Sequence, residues 1–106
     1  MKALKEEKLE TILSRFAIND DLIYQKHIEY EPDCFLYFYK NQKGQRYVLI
    51  CRDFVQDELD AEKRILKKEM NINITKRIKT KKTQDYWLFV KGLDNYEYVF
   101  SLVKYE

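Results

Sequence analysis

Glycine and proline are almost missing from this chain, with two glycines and one proline in 106 residues. Gly44 and Gly92 lie far apart, so no glycine-rich loop can be built to cradle a phosphate. Few chain-breaking residues also imply short connections and a mostly regular backbone. Cysteine occurs twice and histidine once. Two cysteines cannot form the disulfide framework of a small secreted domain. Cys34, Cys51 and His27 show no CxxC or HxxxH spacing, whereas a structural zinc site takes four such ligands. His27 has no serine or cysteine that can be placed beside it from sequence, so no nucleophile and base can be paired. No catalytic residue, metal or cofactor is therefore expected, and the chain reads as a non-enzyme.

Long apolar runs are missing too. None approaches the roughly 18 residues of a membrane helix. Acidic residues follow at once after Met1-Lys2-Ala3-Leu4-Lys5, with no apolar stretch of the kind a secretory leader needs. A cytoplasmic protein with no membrane partner is the expectation.

What remains is the composition of a folded domain: 45% hydrophobic, 15% aromatic and 36% charged residues. Disordered chains hold fewer apolar residues and more net charge. The length suits one domain over 1–106 with its own core. Lys, Ile and Tyr are abundant, as expected of an AT-rich genome such as a phage or mobile element.

Periodicity supplies the elements. Leu9, Ile12, Leu13 and Phe16 make one apolar stripe and predict a helix over 3–17. Alternation over 22–30 predicts a half-buried strand, with Leu22, Tyr24, Ile28 and Tyr30 on one face and Gln25, His27 and Glu29 on the other. Residues 34–40 and 46–51 are apolar on both faces and predict strands buried on two sides. A four-residue loop over 41–44 places Cys34 opposite Cys51, two small apolar side chains that a reducing cytosol would leave unlinked. Asp53 and Gln56 resemble a capping box opening a second helix to about Met70, with Val55, Leu59, Leu66 and Met70 as its stripe. Glu62 falls at the edge of that stripe. Residues 72–82 alternate again, and 85–91 and 95–104 predict two further strands. The expected fold is α+β: a single mixed or antiparallel sheet with two helices on one face, in the order α-βββ-α-βββ. Restriction-endonuclease-like and double-stranded-RNA-binding folds share parts of this order. Neither motif is here: Cys51 and Asp53 stand where the nuclease carboxylate and lysine belong, and 52–57 lacks the RNA-binding helix signature.

Charge is the feature above background. Lys63, Arg64, Lys67, Lys68, Lys76, Arg77, Lys79, Lys81 and Lys82 face only Glu69, so residues 63–82 carry +8. The flanks carry −4 and −2, which hides the imbalance inside a total of +2. On a strand over 72–82, Arg77, Lys79 and Lys81 would share one face. Such a patch suits nucleic acid, bound through phosphates with little sequence preference. A hairpin loop at 92–95 would pair Phe89 with Tyr98 and Trp87 with Phe100 in an aromatic ladder, which is core if covered and a base-stacking surface if exposed. The alternative is a small inhibitor or accessory factor, of the anti-defence or antitoxin-like kind, docking on a nucleic-acid-handling protein. Homodimerisation through an edge strand is a third route.

Overall fold

Six strands form a single antiparallel sheet in the computed structural model, which describes residues 3–31, 34–53, 66–67, 70–91 and 97–106. The elements are α1 (Glu6–Leu13), β1 (Ile23–Glu31), β2 (Cys34–Lys40), β3 (Arg46–Asp53), β4 (Ile74–Ile78), β5 (Trp87–Lys91) and β6 (Glu97–Tyr105). Strand order is β1-β2-β3-β6-β4, and β5 also pairs with β6. This corrects the α+β expectation. Among the described residues the protein is mostly a six-stranded antiparallel sheet, with the short helix α1 packed against it. The expected second helix falls largely outside the described residues; of its span, Leu66, Lys67 and Met70 are described and have helical backbone.

The apolar cover also differs from two helices on one face. Phe35, Tyr37 and Tyr39 of β2 point to the side of Leu9, Ile12 and Phe16, while Leu36 and Phe38 point to the side of Leu66 and Ile72. Strands with apolar residues at every position need cover on both faces, and here each face has its own cluster. The eight-residue α1 is too short to be stable alone. Glu6 and Glu7 suit its N-terminal turn, and the burial of Leu9 and Ile12 holds it to the sheet. The Leu4 N–H donates to the Tyr37 hydroxyl at 2.9 Å, and burial pushes that phenol up to about 12.

Helix α1 stops earlier than its stripe predicts. Ser14 closes it with an N–H bond to the Glu10 carbonyl, and the chain tightens so that Phe16 leaves the helix. Phe16 instead forms an antiparallel bridge with Thr80 while its ring is fully buried.

Both hairpin registers lie one residue from the expected pairing. Lys40 faces Arg46, so Cys34 faces Arg52 and Phe35 faces Cys51. The turn explains the shift. The Gly44 N–H donates to the Asn41 carbonyl, and Gly44 takes φ +79°, leaving Asn41 and Gln45 as the closing pair of a three-residue loop. The cysteines consequently lie on opposite faces, Cys51 with the α1 cluster and Cys34 with the other. Strand β5 shifts likewise: Trp87 faces Ser101, Leu88 faces Phe100 and Phe89 faces Val99. The expected aromatic ladder does not exist. Phe100 is buried against α1, whereas Phe89 is exposed.

A bulge changes β1 as well. Tyr24 pairs with Tyr39 and Lys26 with Phe38, so Gln25 is the extra residue. Tyr24 and His27 then share a face, and the Tyr24 hydroxyl meets His27 Nδ1 at 2.8 Å. The exposed His27 ring lies over Phe35 and Tyr37, with centroids 6.3 and 6.0 Å away.

Asn41 holds the β2–β3 turn. Its Oδ1 accepts from the N–H groups of Lys43 and Gln45, and its Nδ2 donates to Gln45 Oε1 at 2.7 Å and Asp20 Oδ2 at 3.2 Å. Asn41→Ala should cost about 1–3 kcal/mol, because a buried set of polar groups loses its partner. Urea unfolding checks this; a cost below about 0.5 kcal/mol would mean that water replaces the side chain.

Candidate nucleic-acid interface

Strands β4 and β5 lie end to end along one edge of β6. Ile78 pairs with Leu102 and Trp87 with Ser101, so residues 79–86 leave the sheet between two consecutive β6 positions. The chain there reads Lys79-Thr80-Lys81-Lys82-Thr83-Gln84-Asp85, without one apolar side chain. It has no face to bury, which favours a loop over a longer strand. The expectation that Arg77, Lys79 and Lys81 share a strand face is corrected, because the strand ends at Ile78.

This loop is built as firmly as an element. The Thr80 N–H donates to the Asp85 carbonyl at 2.7 Å and closes it. Thr80 and Thr83 join hydroxyls at 2.6 Å, and Gln84 turns the chain with φ 59°. Two backbone bonds fasten it to the segment that follows α1: Ala17 N–H to the Lys79 carbonyl at 2.7 Å, and Lys81 N–H to the Arg15 carbonyl at 2.9 Å.

Those bonds bring an unexpected cation into the patch. Arg15, Lys79, Lys81 and Lys82 are all exposed, and none forms an ion pair among the described residues. Four like charges on two tied segments make a local positive field, with the exposed Asp85 as the acidic residue of the loop. Two aromatic residues flank its neck. The Lys79 ammonium sits 5.6 Å from the Tyr86 ring centroid, and the Arg77 guanidinium 5.5 Å from that of Trp87. The Tyr86 and Trp87 rings meet edge to face, 6.0 Å apart at 87°.

The other expected basic residues scatter. Lys76 faces Lys104 across β4 and β6, in the same row as Tyr47. Lys67 is exposed beside a polar hollow lined by Asn71, Ile72, Asn73 and Glu106. Lys63, Arg64 and Lys68 lie outside the described residues. The structure thus gathers Lys79, Lys81 and Lys82, adds Arg15, Tyr86 and Trp87, and sets Lys76 and Lys67 apart. Arg15 carries no sequence signal, since only these backbone bonds to the loop bring it close. The loop itself had one, in the polar run 79–85.

Among the described residues, no group of three or more His, Cys, Asp or Glu side chains could hold a metal ion. No helix among them is long and apolar enough to cross a membrane. No family model, curated protein or solved structure matches the chain.

Proposed function

We propose that the chain is a non-enzymatic nucleic-acid-binding module that grips phosphates with the loop 79–86 and Arg15. The observation that carries this reading is the fastening of that loop to the segment after α1, which brings Arg15, Lys79, Lys81 and Lys82 onto two tied stretches of chain without ion-pair partners among the described residues. A preorganised cation cluster loses less conformational freedom on meeting a polyanion than lysines on a mobile tail. Point-charge ammonium groups suit phosphate contact more than base readout, so sequence preference should be weak.

Anisotropy of labelled nucleic acid across a salt series tests the reading. The expected result is micromolar binding at low salt, with log K falling linearly in log salt by about 0.7 per phosphate on a single strand and 0.9 on duplex DNA. With three or four contacts the single-strand slope would be about 2–3. Absence of binding at 50 mM salt, together with a stoichiometric complex formed with an acidic protein, would replace nucleic acid by a protein surface as the partner of the same cations.

A further inference from the structure

We infer that the site selects single-stranded over duplex nucleic acid, with Tyr86 and Trp87 stacking against unpaired bases while the loop lysines hold the backbone. The inference rests on the phosphate-binding reading above and adds the ligand class.

The argument starts from what stands beside the cations. Tyr86 and Trp87 are consecutive, and both residues are partly exposed, with the Trp87 indole nitrogen buried. Each already has a cation against it: Lys79 at Tyr86 and Arg77 at Trp87. Their planes meet at 87°, so a single base cannot lie flat on both. Two successive bases of a bendable strand can each find one ring, whereas bases stacked in a duplex present only their edges. A base face on an aromatic ring is sequence-tolerant, and a guanidinium plane such as Arg77 is itself a stacking surface. Phosphate contacts strengthen single strands and duplexes alike. Stacking strengthens only the single strand, so the ratio of the two affinities isolates it.

The chain also carries its own reporter. Trp87 is the one tryptophan, so any change in indole emission arises at this site.

The experiment uses the full chain with a 20-nucleotide oligothymidylate, the matching oligouridylate and a 20-base-pair DNA duplex, all at 50 mM salt. The expected result is at least tenfold tighter binding of a single strand than of duplex, with tryptophan emission quenched at saturation. Tyr86→Ala should weaken single-strand binding by about fivefold or more and duplex binding by clearly less, since Lys79 also rests on that ring, so the ratio of the two affinities falls. Circular dichroism confirms that the variant is folded, and the two wild-type measurements stand without it. The two single strands separate DNA from RNA, and preference for either over duplex supports the inference. Equal binding of duplex and single strand with unchanged emission overturns it and leaves the phosphate site intact. No binding of any probe overturns both.

Discussion

Replacing Lys79, Lys81 and Lys82 together by glutamate should lower affinity for a single strand by roughly 10²–10³-fold at 50 mM salt. Each lost phosphate contact removes the release of about 0.7 counterion, so the salt slope should also fall by about 2. Both changes matter, because a variant that merely disturbed a stacking surface would lose affinity and keep its slope. All three side chains are exposed, so the fold should tolerate the exchange, and the unfolding midpoint should barely move. Adding Arg15→Glu should reduce affinity further. Lys43→Glu serves as the control: it is an exposed lysine of the β2–β3 turn, outside the loop, and should have little effect. The measurement is the same anisotropy salt series. A triple variant that binds like the parent would remove the loop from the interface.

Phe16→Ala should destabilise the protein by about 3–5 kcal/mol, the usual cost of emptying a fully buried aromatic site. That is a large share of the roughly 5–15 kcal/mol that a domain of this size has in total. The Phe16 ring is completely buried in the cluster formed by α1 and the sheet, and its backbone bridges Thr80. Removing the ring leaves a hole under the point where the loop is fastened. Equilibrium urea unfolding gives the energy. Phe16→Leu, which keeps most of the volume, should cost well under half as much. If alanine costs less than about 1 kcal/mol, the ring is not the wedge the structure makes it.

Strand positions were the most legible part of the fold, because alternation in β1 and two-sided apolarity in β2 and β3 leave few other arrangements. The same two-sidedness bore on the cover as well: Leu36 and Phe38 need apolar neighbours as much as Phe35 and Tyr37 do, which argues against two helices on one face. Register was less legible. One residue decides it, and the deciding events are conformational: the left-handed Gly44 in the β2–β3 turn and the extra Gln25 in β1. Each shifts pairing without any signature in hydrophobic pattern. The charge imbalance was visible, but its division was not. Lys76 and Lys81 are five residues apart in the chain, yet one projects from the sheet and the other from the loop. Arg15 joins Lys81 through a backbone bond that no linear spacing announces.

The consecutive pairing of Ile78 and Trp87 with Leu102 and Ser101 has a consequence for modularity. Arg77 and Trp87 lie on one face, Ile78 and Leu88 on the other, so splicing residue 78 directly to residue 87 would continue the inside–outside alternation without slipping the ladder. Topologically, 79–86 is an insert in a single long strand. The register of the sheet is therefore independent of the loop's length, and loops of other length or charge could be grafted at this junction as long as they renew the bonds to Arg15 and Ala17 and the bridge to Phe16.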